Sequence, residues 1–199
     1  MTRRRHLPVL AATVVVAAVT TRATFGAQPG SGRQAVLTYV LVAVLLLGAY
    51  ASGGWPVAHR RGRRPVVAPA LTGVLLFLAF TVLAIVTSWI GPFTRDVTEL
   101  ARHLYSGAAW DLVLGATLAG VAEEVFYRGA VFERFRRPVL TATLTHMAAT
   151  LLVGNVALTL AAGVLGVVLG LSRRASGGWW APAVTHVVWC LLMLRWLPT

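Results

Sequence analysis

The fold of this chain is decided by the stretch A-G-V-A-E-E-V-F-Y-R-G-A, residues 119–130. It places two adjacent carboxylates, Glu123 and Glu124, and the basic Arg128 inside a long apolar segment. Placing one charge at the centre of a bilayer costs about 2.5–3.5 kcal/mol on insertion scales. Such residues almost always face the interior of a helix bundle or a water-filled cavity. Three of them together therefore indicate a functional cluster inside a membrane protein.

The composition of the whole chain agrees with this interpretation. Of its 199 residues, 57% are hydrophobic and only 12% are charged, against roughly 25% charged in soluble domains. We predict an all-α, polytopic integral membrane bundle. The net charge of +12 could suggest a nucleic-acid partner, but every basic residue is arginine and the arginines cluster between apolar runs. Such clusters are typical topology signals, so the bilayer, and no nucleic acid, is the predicted partner. The single cysteine, Cys190, excludes an internal disulfide framework.

The apolar runs predict about seven transmembrane helices, within limits of six to eight. They cover residues 7–19, 35–51, 67–90, 108–132, 139–153, 155–171 and 181–197. Several are shorter than the ~20 residues of a full crossing, which leaves the fifth and sixth open as tilted or partly re-entrant segments. Residues 91–106 predict a short interfacial helix. The basic start and short first run resemble a signal peptide, but no clear cleavage site follows, and we predict an uncleaved first helix.

The arginines predict the orientation of these spans, because cytoplasmic segments are enriched in basic residues. With a cytoplasmic N-terminus, twelve arginines lie inside and five outside. The inside set is Arg3, Arg4, Arg5, Arg60, Arg61, Arg63, Arg64, Arg134, Arg136, Arg137, Arg173 and Arg174. The outside set is Arg22, Arg33, Arg95, Arg102 and Arg195. We therefore predict a multi-pass protein of the cell membrane with its N-terminus in the cytoplasm.

Two histidines from later spans fall at nearly the same depth as the paired glutamates. With a rise of ~1.5 Å per residue, Glu123 lies roughly 15 Å from the inner end of its span, His146 roughly 12 Å and His186 roughly 9 Å. Polar side chains inside a membrane usually pair with one another or face a shared cavity. We therefore predict that Glu123, Glu124, His146 and His186 face one site in the cytoplasmic half of the bundle.

These four side chains suffice for hydrolysis. A carboxylate can activate water, one histidine can pass the proton to a leaving amine, and the other can donate to an oxyanion. Alternatively, Glu123, His146 and His186 could bind zinc, because zinc takes these ligand types. Arg128 follows Glu124 by one helical turn, a spacing that favours a salt bridge. We assign Glu124 to that structural pair and Glu123 to the working base.

The residues also resemble a known family. E-E-V-F-Y-R, residues 123–128, is similar to the E-E-x-x-x-R motif of the CAAX protease and bacteriocin-processing (CPBP, or Abi) family of intramembrane metalloproteases, and the later histidines complete that pattern. The resemblance covers residues 107–197, which we designate the catalytic domain, with N-terminal helices and an interfacial segment in residues 1–106. It implies cleavage of a membrane-associated peptide or protein at the cytoplasmic face by Glu123, Glu124, His146 and His186. Zinc or a metal-free, glutamate-activated water are both compatible with it.

Two positions depart from the family pattern. The second motif has an aromatic residue four positions before the histidine, where this chain has Ala142. The third usually has asparagine, or another small polar residue, four positions after the last histidine, where this chain has Cys190. A thiol is a weaker hydrogen-bond donor than an amide, so oxyanion support from Cys190 is expected to be poorer and its role orienting or structural. A thiol nucleophile is disfavoured in apolar surroundings.

Two other classes of function stay open at this point. One is a catalytically silent membrane protein of the same fold, acting as an immunity or scaffold factor. The other is a proton-coupled transporter, since buried Glu and His also form proton relays. The absence of duplicated halves in the sequence argues weakly against a transporter. The sequence favours no particular oligomeric state.

Overall fold

The described part of the chain folds into α-helices. The computed structural model describes residues 6–53, 55–58, 64, 66–105 and 109–196. Its helices are α1 (Leu7–Phe25), α2 (Gly32–Ala51), α3 (Val67–Thr87), α4 (Gly91–Tyr105), α5 (Ala109–Glu123), a π-helical segment (Glu124–Val131), α6 (Pro138–Leu151), α7 (Val156–Ser176) and α8 (Trp180–Trp196). No strand occurs in these described ranges. The predicted all-α class is confirmed.

Several of these helices have the length and composition of membrane spans. α1, α2, α3 and α7 are long and apolar enough to cross a bilayer, and α8 is a shorter apolar helix. Large hydrophobic side chains such as Val15, Leu75 and Val86 are about 60% exposed on the outside of the bundle, where lipid would cover them. The chain is therefore an all-helical, multi-pass membrane protein.

The helix ends follow local sequence signals. Asn155 caps α7, its Oδ1 accepting a hydrogen bond from Leu158 N at 2.8 Å. α7 ends at Gly177, which adopts the left-handed conformation at φ 75° that closes many helices. The helix thus extends to Ser176, five residues beyond the predicted apolar run. This corrects the prediction that Arg173 lies in an inner loop, because its position belongs to the last turns of α7.

The N-terminal helices pack directly on the C-terminal ones. α1 contacts α2 and α6, α2 contacts α5 and the π-helical segment, and α3 contacts α8. Small residues allow close approach at these contacts. A Cβ atom added to Gly73 of α3 would lie 2.7 Å from Thr185 O of α8. The result is a bundle with the π-helical segment at its centre.

The π-helical segment is enclosed on all sides. Helices α2, α6, α7 and α8 all contact it, and each of its eight residues is buried. Its wider turn is visible at its end, where Phe132 N donates to Tyr127 O, five residues back, at 3.1 Å. Such segments are rare and occur frequently at functional sites. The charged residues of the opening stretch therefore lie at the core of the bundle.

The predicted interfacial helix forms, but two of its polar residues face inward. Asp96 and His103 of α4 are only 4% and 7% exposed. Asp96 Oδ2 accepts a hydrogen bond from Val156 N, at the start of α7, at 2.8 Å. A carboxylate at a helix N-terminus is stabilised by unpaired N–H groups and by the helix dipole. α4 is therefore hydrogen-bonded to the start of α7 and does not contact only a membrane surface.

Candidate active site

Glu124 lies at the centre of a buried charge cluster. Its Oε1 atom accepts a hydrogen bond from Arg128 Nη1 at 2.9 Å, and both side chains are 0% exposed. The same oxygen lies 2.9 Å from His186 Nδ1 of α8. A buried ion pair is stable only when further hydrogen bonds satisfy its atoms, and His186 supplies one. Glu124 thereby joins the π-helical segment to α8.

Glu123 occupies a different position, facing both histidines. Its Oε2 atom lies 3.4 Å from His146 Nε2 and 3.9 Å from His186 Nε2. The Glu123 side chain is 23% exposed, whereas both histidine side chains are 7% exposed. The structure thus brings together all four side chains that were grouped by depth, and Glu123 is the less enclosed of the two carboxylates.

The His146 ring is held by an aromatic neighbour. Tyr127 stacks on it with ring centroids 4.5 Å apart and an interplanar angle of 19°. Among the described side chains, neither His146 Nδ1 nor Thr143 Oγ1 has a hydrogen-bond partner. His146 is therefore not a core histidine fixed by Thr143. Stacking orients its ring and leaves Nε2 directed at Glu123.

The contact with Glu124 restricts the protonation of His186. Glu124 is paired with a permanently charged guanidinium, and an ionised carboxylate only accepts hydrogen bonds. The proton in this contact therefore lies on His186 Nδ1. The Nε2 atom then presents a lone pair in the neutral ring and an N–H in the imidazolium. Only the imidazolium can donate to an oxyanion, whereas the neutral form suits a metal.

Glu123, His146 and His186 were the predicted zinc ligands. Their donor types suit zinc, and a histidine whose other nitrogen bonds a carboxylate is a common zinc ligand. However, the described part of the chain contains no group of three His, Cys, Asp or Glu side chains placed to hold a metal ion. Glu123 contacts His146 directly instead. The reaction proposed below is therefore written without a metal.

The two departures from the family pattern have different surroundings. Cys190 follows His186 by one turn of α8 and is partly exposed as a free thiol. Ala142 is 0% exposed, within a core cluster that includes Leu45, Val131 and Ala149. Core residues in such clusters are packed as tightly as organic crystals, so the small side chain at position 142 fits a closely packed position.

Two features that support the site were not predicted from the sequence. Arg173, counted only as a topology signal, is 5% exposed and its Nε donates to Arg128 O at 2.7 Å. Gly129 provides room for the loop after α2, since a Cβ there would lie 2.6 Å from Pro56 Cβ. Trp179 Nε1 holds that loop by donating to Pro56 O at 3.1 Å. Gly129, which directly follows Arg128, was the only sequence signal for the close approach of this loop to the π-helical segment.

The comparisons with known proteins bear on the same part of the chain. Residues 105–192 match the family model described as type II CAAX prenyl endopeptidase Rce1-like. Neither the curated proteins nor the solved structures gave a match. The matched residues include the four clustered side chains, Arg128 and Cys190. Residues 105–192 are therefore similar to the Rce1-like type II CAAX prenyl endopeptidases, which is consistent with the resemblance to the CPBP family.

Proposed function

We propose that this protein is an intramembrane endopeptidase that cleaves a membrane-associated peptide or protein by means of water activated by Glu123. The observation that carries the proposal is the position of Glu123 Oε2, which lies 3.4 and 3.9 Å from the Nε2 atoms of His146 and His186. The match of residues 105–192 to a peptidase family model supports the same reaction class. A carboxylate flanked by two imidazoles can take, share and return a proton.

Exposure assigns the roles of the two glutamates. Glu124 is 0% exposed and is bound by Arg128 and His186. It therefore orients His186 and neutralises the charge of Arg128, and it does not bind the reacting water. Glu123 is 23% exposed and is open to a water molecule. Distances slightly beyond ideal hydrogen bonds are common in apo catalytic sites and tighten when substrate binds. Glu123 is therefore the base in this proposal, and Glu124 and Arg128 organise the site.

The reaction follows from these positions. The water oxygen attacks the peptide carbonyl carbon while its proton passes to the Glu123 carboxylate. The imidazolium of His186 donates Nε2–H to the resulting oxyanion. The proton from Glu123 then reaches the amide nitrogen through His146, the C–N bond breaks, and a carboxyl terminus and an amine are released. No oxidant or additional reactant is required.

The membrane arrangement belongs to the same proposal. We propose seven crossings, a cytoplasmic N-terminus and a site that opens towards the cytoplasm. The continuous helical stretch 109–131 supplies the central crossing, and the excess of arginines in the predicted inner segments supports the orientation. The substrate is therefore expected to reach the site from the cytoplasmic leaflet.

The test is cleavage of a membrane-anchored peptide by the purified protein in nanodiscs. We expect Glu123→Gln to lower kcat by roughly 10²–10⁴-fold, the usual contribution of a general base. Glu99→Gln, at an exposed position on α4, is the matched control and should leave kcat unchanged. Cleavage that survives Glu123→Gln rules out water activation by this residue. Proton-coupled uptake without cleavage would favour the transporter, and neither activity would favour the silent scaffold.

A further inference from the structure

The π-helical segment leaves one of its own carbonyl groups without a helical partner. In an α-helix Arg128 O would accept a hydrogen bond from Phe132 N. Here Phe132 N donates to Tyr127 O at 3.1 Å instead. The next two donors also miss Arg128 O, because Glu133 N bonds Gly129 O and Arg134 N bonds Val131 O. The change from π-helical to α-helical spacing therefore passes over the carbonyl of Arg128.

A buried carbonyl without a partner is costly, at about 1–3 kcal/mol, and Arg173 satisfies this one. Its Nε atom donates to Arg128 O at 2.7 Å, across 45 positions of the chain. Its Nη2 atom pairs with Glu133 Oε1 at 3.1 Å, and its guanidinium lies 5.0 Å from the centre of the Phe132 ring. One side chain of α7 therefore contacts residues on both sides of the point where the helical spacing changes.

We infer that Arg173 is a positioning residue that fixes the π-helical spacing of residues 124–131 and thereby the placement of Glu124 and Arg128 at the site. If Arg128 O lost this partner, the segment could regain it by reverting to α-helical spacing, with Phe132 N bonding Arg128 O. That reversion would rotate Arg128 relative to His186 and disturb the contact between His186 and Glu124. The effect on catalysis rests on the proposed function, whereas the effect on the segment does not.

The role requires arginine rather than any cation. The guanidinium presents several N–H groups in a fixed planar fork and stacks on aromatic faces. Arg173 uses these properties at once, with one N–H on a carbonyl, another on a carboxylate, and its plane near Phe132. An ammonium is a point charge without that geometry. Arg173→Lys should therefore restore only part of the function.

The neighbouring Arg174 offers a matched control, since it lies on the same turn of α7 and is exposed. The experiment compares wild type, Arg173→Met, Arg173→Lys and Arg174→Met in nanodiscs, with ¹⁵N-labelled histidine. The His186 ring resonances report its Nδ1 contact without any need for cleavage. His186→Gln assigns those resonances, and kcat and KM are measured with the anchored peptide.

We expect Arg173→Met to shift the His186 resonances and to lower kcat by about 10²-fold with KM unchanged, as expected for catalytic groups displaced by about 1 Å. Arg173→Lys should be intermediate, and Arg174→Met should match wild type. Wild-type His186 resonances in a folded Arg173→Met variant would overturn the inference. If that variant does not fold, wild-type resonances in Arg173→Lys and Arg173→Gln overturn it. If even wild type cleaves nothing, the proposed function fails, and the resonances still decide the role of Arg173.

Discussion

Glu124 and His186 meet through Oε1 and Nδ1 at 2.9 Å, although 62 positions separate them in the chain. The contact fixes one nitrogen of the imidazole and leaves the other, Nε2, 3.9 Å from Glu123 Oε2. Glu124 thus contacts the Nδ1 side of the His186 ring, and Glu123 lies on its Nε2 side. In the proposed mechanism the two adjacent carboxylates have different roles: Glu124 orients His186, and Glu123 activates water.

The Glu124–Arg128 pair predicts a strong dependence on both partners. Glu124→Gln should reduce the free energy of unfolding by about 3–5 kcal/mol, because it leaves a buried arginine unpaired. The double variant Glu124→Leu/Arg128→Met should recover much of that loss, since replacing both charges removes the unpaired group, yet remain inactive. Unfolding in mixed micelles measures the stabilities. A double variant no more stable than Glu124→Gln would contradict this explanation.

The stack of Tyr127 on His146 predicts that the ring matters more than the hydroxyl. Tyr127→Phe retains the ring and should keep kcat near wild type. Tyr127→Leu removes a stacking contact of about 0.5–1.5 kcal/mol and should lower kcat by up to about tenfold. Steady-state kinetics of the three proteins tests the difference. Equal damage from both substitutions would instead assign a role to the phenolic oxygen.

Cys190 predicts a gain of activity on restoring the family's asparagine. An amide donates a stronger hydrogen bond than a thiol, and an oxyanion donor contributes up to about 10²–10³ in kcat. Cys190→Asn should therefore raise kcat. Cys190→Ala should stay close to wild type, because the thiol contributes little. Complete loss of activity in Cys190→Ala would point to a thiol nucleophile instead.

Activation of water by Glu123 without a metal predicts resistance to chelators. Purified protein treated with a strong chelator should retain its kcat and contain no stoichiometric zinc in elemental analysis. Loss of cleavage on chelation, with recovery on adding one equivalent of zinc, would show that Glu123, His146 and His186 act as metal ligands. Because zinc requires deprotonated ligands, Glu123→Gln should then also lower the zinc content.

The buried position of Ala142 predicts that the family's aromatic residue does not fit this chain. Ala142→Phe should lower the free energy of unfolding by about 1–3 kcal/mol, the usual cost of overpacking a core. Leu144→Phe on the same helix is the control, because Leu144 is 54% exposed and should tolerate the larger ring. Thermal unfolding in detergent compares them. An Ala142→Phe variant as stable as wild type would reveal unused space beside α6.

Much of the architecture could be predicted from the sequence because a bilayer constrains it locally. Apolar runs must be long enough to cross hydrocarbon, and their polar interruptions must face inward. The runs therefore located each helix, although α1 ends at Phe25, six residues beyond the predicted run. Depth alone grouped His146 and His186 with the two glutamates. The four-residue spacing likewise predicted the pairing of Glu124 with Arg128, which the structure places at 2.9 Å.

The tertiary structure decided what depended on partners distant in the chain. The π-helical spacing of residues 124–131, the burial of Arg173 and the contact of Glu124 with His186 leave no mark on hydrophobic periodicity, because each is stabilised by a hydrogen bond from another helix. The sequence thus determined that charges lie inside this bundle and at what depth. Only packing determined which glutamate is enclosed and which is partly exposed, since a buried charge takes its role from the groups that surround it.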